Sequence, residues 1–258
     1  MTLRSILISG AIYMAVTATA FAKETGELKI RFEYGGEAVA AGPITPTKDV
    51  KYCGQHDLVN EKLLVNPENK GIKNVIVYLY TGRGGSELPD VAPVNETRVL
   101  TIAECRFDPH IVLAQAGDIL KIVNRDPVGH NTNVNFFNNQ TSSSTVRSDG
   151  LSFYNLQRAE PAPIPVDCNI HPWMRAYLVV LKHPFAAKSD ENGDLVIKGL
   201  PVGKELVFRV FHEAGRIDKV VIDGEPKNWL RGLFNVKVES GVNELATVVI
   251  PGEALATQ

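Results

Sequence analysis

The sequence predicts an all-β protein made of two β-sandwiches, and three observations lead there. No window carries the apolar repeat of a long amphipathic helix, whereas short apolar or alternating runs bounded by Gly, Pro, Asn and Asp recur throughout. Strands this short and this numerous belong to sandwiches or barrels. At 258 residues the chain is long enough for two cores.

In chain order, the first 22 residues carry one charged side chain, Arg4, then a mostly apolar run over 6–16 and a small-residue end, Ala20-Phe21-Ala22. This is the form of a secretory signal peptide cleaved before Lys23. Ser5, Ser9, Gly10, Thr17 and Thr19 break the run, and a retained anchor needs about 20 apolar residues without interruption. No second apolar span follows. The mature chain is therefore expected to be periplasmic or secreted, with no membrane span. Losing Arg4 takes the formal charge from −2 to −3, too near neutral for nucleic acid or an anionic membrane surface to be the main partner.

Strands are predicted at 27–34, 74–80, 97–103, 110–114, 119–124, 130–136, 177–181, 195–197, 206–211, 220–222 and 246–250. Residues 138–150, full of Asn, Ser and Thr, read as a surface loop. The run Glu160-Pro161-Ala162-Pro163-Ile164-Pro165 reads as a stiff extended lead-in to Cys168.

The chemistry gathers around Cys168. The stretch Cys168-Asn169-Ile170-His171-Pro172-Trp173-Met174 offers a thiolate, an imidazole and a thioether within seven residues, and His130 stands upstream in Gly129-His130-Asn131. Cys168 and His171, three apart on a loop between strands, can present sulfur and ring nitrogen to one point. Met174 can close from the axial direction and His130 can arrive from a neighbouring strand end. A thiolate, two imidazoles and a weak axial methionine form the donor set of a type 1 (blue) copper site. Zinc prefers four Cys, His or carboxylate donors and is poorly served by a thioether. There is no C-x-x-C-H for haem. The six histidines, at 56, 110, 130, 171, 183 and 212, form no H-x-H pair of the kind that copper clusters need.

The two remaining cysteines admit two readings. Cys53 and Cys105 pair as a disulfide, or Cys53, His56, Cys105 and His110 make a second Cys2His2 metal site. An oxidising compartment favours the disulfide.

Residues 98–182 run Phe107-Asp108-Pro109, Ile111-Val112, Ala116-Gly117-Asp118, Ile122-Val123-Asn124, Asp126, His130-Asn131, and close on the Cys168–Met174 loop. That succession resembles the cupredoxin family, and the C-x-x-H-P-x-M loop is similar to that of amicyanin. The resemblance covers about a third of the chain and implies a Greek-key β-sandwich with copper held by His130, Cys168, His171 and Met174. It also implies that Asn131 ties the two ligand loops together and hydrogen-bonds toward the Cys168 sulfur. By the same resemblance the outer edge of His171 reaches solvent as the electron port, framed by Pro172 and by Trp173. Trp173 would then serve partner docking, or else pack against the second sandwich.

The flanks resemble something else. Asp190-Glu191-Asn192-Gly193-Asp194-Leu195-Val196-Ile197 and the following Leu200-Pro201-Val202-Gly203 are similar to the hallmark of transthyretin-like, carboxypeptidase-regulatory-like sandwiches, with Leu195 where an aromatic is usual. Residues 26–30 and 74–79 resemble the opening strands of the same module. Asp190–Asp194 reads as a β-turn of that sandwich rather than a calcium loop, since the distal Glu of an EF-hand is missing. The expected organisation is a signal peptide at 1–22, half a sandwich at 23–96, the cupredoxin unit at 97–182, and the transthyretin-like remainder at 183–258. The cupredoxin unit is inserted in, or packed on, the second sandwich. The whole also resembles exported bacterial methylamine-utilisation-like proteins.

The function expected from these residues is that of a one-electron carrier with one type 1 copper ion, serving redox partner proteins in the export compartment and not an enzyme. The alternative is a copper-binding or interaction sandwich without electron transfer.

Overall fold

The computed structural model describes residues 24–255 except 39, 89 and 90; the leader at 1–22 lies outside the described residues. The chain runs β1 (Thr25–Tyr34), α1 (Val50–Cys53), β2 (Ile76–Leu79), β3 (Thr97–Ala103), β4 (Arg106–Asp108), β5 (Ile111–Gln115), β6 (Ile119–Asn124) and β7 (His130–Val134). It continues with β8 (Ser142–Val146), β9 (Leu151–Asn155), β10 (Ile164–Asp167), β11 (Arg175–Leu181), β12 (Ala186–Lys188), β13 (Asp194–Pro201) and β14 (Lys204–Phe211). Last come β15 (Lys219–Ile222), β16 (Glu225–Asn228), β17 (Leu233–Val238), β18 (Gly241–Glu244) and β19 (Val248–Ile250). Among the described residues the protein is all-β apart from one helical turn and short 3-10 segments.

The strands make four sheets around two cores. One pair has the orders β13-β1-β19-β15-β16, with β18 also on β1, and β12-β2-β14-β17. Both sheets mix strands from the two ends of the chain: β1 runs antiparallel to β13 with Ile30 opposite Leu195, and β2 lies antiparallel to β14 with Val77 opposite Val210. Leu28, Ile30 and Phe32 alternate into the core between them, where Phe208, Phe234 and Trp229 stack. Burying one such aromatic contributes about 2–3 kcal/mol. The turn before β13 needs its glycine: Gly193 has φ +82, and a Cβ there would lie 2.1 Å from the Phe32 carbonyl oxygen. Asp190 closes the same turn by accepting the N–H groups of Asn192 and Asp194.

The other pair, β5-β11-β10-β7-β8 and β4-β3-β6-β9, is made wholly of residues 97–181. Leu100, Ile122, Val134, Leu178 and Val180 fill its core, and Cys168 and Met174 belong to the same cluster. The two sandwiches meet where Ile76 and Tyr78 of β2 pack on Ile111 of β5 and Val179 of β11. This explains why β2 is buried along its whole length: Val77 and Leu79 face one core while Ile76 and Tyr78 face the junction.

Two expected irregular stretches are strands. Within 138–150, Ser142–Val146 forms β8, an edge strand with alternating burial whose partner β7 supplies all its ladder bonds; hydroxyl side chains tolerate an exposed edge, so polarity alone misled. The proline-rich lead-in ends in β10, where Pro165 and Val166 pair with β11. Of the described residues before β3, only β1 and β2 enter a sandwich ladder as strands. The segment between them crosses to the end of the inner sandwich that carries Cys168, and α1 sits there.

Candidate metal centre

His130 opens β7, directly after a loop built by Asn124 and Asp126. The Asn124 amide donates to the carbonyls of Val128, Val146 and Arg147 at 2.8–3.1 Å, and its Oδ1 accepts the Asp126 N–H at 2.9 Å. Asp126 Oδ2 then lies 2.9 Å from His130 Nε2. Held by its outer nitrogen, the ring turns Nδ1 inward, where that atom is buried without a hydrogen-bond partner.

Cys168 follows β10 and His171 lies on the short turn before β11. The turn is closed by the Met174 N–H on the His171 carbonyl and the Cys168 N–H on the Met174 carbonyl. Cys168 Sγ comes to 3.7 Å from His171 Nδ1 and accepts the Asn131 N–H at 3.3 Å. Ligand atoms of His130, Cys168 and His171 all lie within 4.8 Å of one another. All three residues are buried, and Met174 is buried beside them. Asn131 links the two ligand loops, its Oδ1 accepting the Asn169 N–H at 3.4 Å, but it is its backbone amide that reaches the sulfur.

Electrostatics favour the thiolate. Burial pushes the Cys168 thiol up, but the His130 and His171 rings beside it and the Asn131 N–H outweigh it and bring the thiol down to about 5. Burial pushes His130 down, and the Asp126 carboxylate overrides that and raises it. Asp126 itself stays below the usual carboxylate range: burial raises it, while His130, the Cys105 N–H and the Tyr52 hydroxyl more than compensate.

The residues present fit a soft or borderline metal ion. An inward-facing imidazole nitrogen with no partner, in a site away from water, is costly unless something binds it, and it faces a thiolate and a second imidazole nitrogen. His130 and His171 each offer Nδ1 while a carboxylate takes Nε2, the outer arrangement that orients metal-binding imidazoles. Thiolate, two imidazoles and a nearby thioether suit copper better than zinc. Cys105, Asp126 and His130 also approach within 4.8 Å, but Cys105 is already bonded to Cys53.

That bond decides between the two readings of Cys53 and Cys105: they form a disulfide, which leaves Cys168 as a free, buried cysteine. His110 is elsewhere engaged, between Glu61 and Glu213. Trp173 is half-buried and packs on the inner sandwich, its indole N–H donating to the Cys105 carbonyl at 3.0 Å and its ring 5.2 Å from His171. The expected solvent-facing edge of His171 is not found. The residue has no exposed surface, and its Nε2 lies 2.8 Å from Asp49 Oδ2. Asp49 and Tyr52 carry no sequence signal, because they sit in an aperiodic segment far from the ligands. Asp126 was visible as part of the Asn124-to-His130 run but not in this role.

No family model and no curated protein matches the sequence. Among solved structures the chain is similar to a reduced Cu(I) form of an amicyanin variant, with 22% identity over 36% of this chain and 86% of that one, at a TM-score of 0.29. It is also similar to a copper-containing nitrite reductase from Thermus scotoductus SA-01 (15% identity, 40% of this chain, 25% of that one, TM-score 0.29). A third is a purple cupredoxin from Nitrosopumilus maritimus (16% identity, 32% and 97% covered, TM-score 0.28). Likeness of this extent carries no functional weight; the donor geometry does. Among the described residues no helix is long and apolar enough to cross a membrane.

Proposed function

We propose that this is an exported electron carrier in which His130 Nδ1, Cys168 Sγ and His171 Nδ1, and more weakly the Met174 thioether, would hold one copper ion. The observation that carries the proposal is the meeting of three buried donors within 4.8 Å, one of them an imidazole nitrogen with no other partner. Copper in such a donor set exchanges one electron with little change in geometry.

The chain's own part is to hold the donors still. His130 is fixed by β7 and Asp126, Cys168 by the Asn131 amide and the β10–β11 hairpin, and His171 by Asp49. Met174 stands just before β11 and is buried in the same core cluster as Cys168. Donors fixed before the ion arrives keep one geometry in both oxidation states. With the four donors closing the site, we assign no enzymatic step to it. Electrons pass to and from redox partner proteins in the export compartment, periplasmic or extracellular, where the Cys53–Cys105 disulfide is stable. In this reading the flanking sandwich, transthyretin-like by its 190–203 hallmark, supports the inner one through the β2 contact.

A second reading, a copper-binding sandwich without electron transfer, is favoured by one observation: Asp49 closes the histidine edge that a docking partner would use. Voltammetry of the copper-loaded protein separates the two. A reversible one-electron couple supports the carrier, and bound copper without such a couple supports the binding module.

A further inference from the structure

His171 is fully buried although Asn169, Ile170 and Pro172 around it are exposed. What covers it comes from outside the inner sandwich. Three ties converge on the single turn of α1: Asp49 Oδ2 on His171 Nε2 at 2.8 Å, the Tyr52 hydroxyl on Asp126 Oδ1 at 2.8 Å, and the Cys53–Cys105 bond. Asp126 in turn holds His130 and accepts the Cys105 N–H at 2.9 Å. One short segment therefore reaches both ligand histidines, one directly and one through Asp126.

The backbone is bent to do this. Asp49 sits at φ 44, ψ 39, left-handed, with its carbonyl accepting the N–H groups of Tyr52 and Cys53. That conformation is strained for most residues other than glycine, and Asp is one of the few that visits it. The bend aims the carboxylate at the imidazole.

We propose that residues 49–53 are a clasp over the metal site, in which Asp49 is a positioning residue that keeps the proton of His171 on Nε2, turns Nδ1 toward Cys168, and shuts the outer edge of the ring from docking proteins. The electron route then enters beside the clasp rather than through His171. The clasp rests on the copper reading for its purpose, but its geometry can be tested without metal. A carboxylate on the outer nitrogen makes the imidazole a stronger donor, and a negative charge beside the site favours the higher metal charge. Asp49 is 40% exposed, so solvent screens this charge and the effect is modest.

The test uses the mature chain as wild type, Asp49→Ala and Asp49→Asn. In metal-free protein, modification of His171 by diethyl pyrocarbonate, read by peptide mass spectrometry, is slow in wild type and at least about tenfold faster in Asp49→Ala, in line with loss of an outer partner. His130, still held by Asp126, keeps its wild-type rate and reports an intact fold. The near-isosteric Asp49→Asn still accepts the Nε2 proton and stays protected, so it isolates the charge. Loaded with copper, it shows a higher reduction potential, by about the 59 mV that a tenfold change in relative Cu(II) and Cu(I) affinity gives for one electron. Equal His171 reactivity in wild type and Asp49→Ala overturns the clasp. An unchanged potential in Asp49→Asn overturns the effect of the Asp49 charge on the site, and a His171 in Asp49→Asn as reactive as in Asp49→Ala overturns the positioning role. If none of the proteins binds copper, the copper reading falls, and the metal-free reactivity still decides the clasp.

Discussion

Removing the disulfide measures how much of the clasp is held by covalent closure. Cys53 and Cys105 are 52 residues apart and both are fully buried. In the chain-entropy treatment a loop of that length restrains the unfolded state by about 14 cal/mol/K, which is about 4 kcal/mol at 25 °C. The double replacement Cys53→Ala/Cys105→Ala also loses sulfur packing against Leu58, worth roughly 1 kcal/mol. A total of about 5 kcal/mol is a large share of the 5–15 kcal/mol that holds a typical domain. The protein carries its own reporters, since Trp173 lies on the inner sandwich beside Cys105 and Trp229 lies in the outer core. With Trp229→Phe as background, urea unfolding of the metal-free protein followed by Trp173 fluorescence reads the inner sandwich. At a slope of about 2 kcal/mol/M the midpoint falls by roughly 2 M or more. A fall below about 0.5 M refutes the reasoning, because the segment would then be held without the cross-link.

Two further outcomes concern ionisation. In metal-free protein the thiolate absorbance of Cys168 at 240 nm, taken as the difference from Cys168→Ser, titrates with a midpoint of about 5; a midpoint near the ordinary 8.5 contradicts the hydrogen-bonded thiolate. Because the folded value is depressed, the thiolate's contribution to stability is full above the unfolded value and is lost as pH falls through about 5. His110 behaves oppositely: burial lowers it, but Glu213 and Glu61 raise it to about 9. Its contribution is full below its unfolded value near 6.5 and is lost as pH rises through about 9. Over that window wild type therefore loses stability relative to His110→Gln as pH rises, compared by urea midpoints; parallel curves contradict the bridge.

The all-β class could be read from the alternation of Leu28, Ile30 and Phe32 and from the apolar run of β2, because burial on one or two faces leaves a direct mark on side-chain polarity. The four donors could be read from the loop because chemistry requires those residue types close together. Edge strands such as β8 could not, since an exposed ladder places few demands on its side chains. Asp49 could not be read either. Its role depends on 122 residues of separation being closed by the fold, and nothing local distinguishes an aspartate that caps a ligand from one on a solvated turn. The carboxylate on His130 lay between these cases: Asp126 is four residues from its histidine, so the spacing was visible while its purpose was not.

Everything proposed for the site rests on His130, Cys168 and His171 holding one copper ion. This is tested most directly by the visible absorption of the protein loaded with Cu(II), beside Cys168→Ser treated identically. An intense thiolate-to-copper charge-transfer band is expected at one copper per chain, disappearing in Cys168→Ser. A colourless protein, or a band that survives in Cys168→Ser, would contradict it.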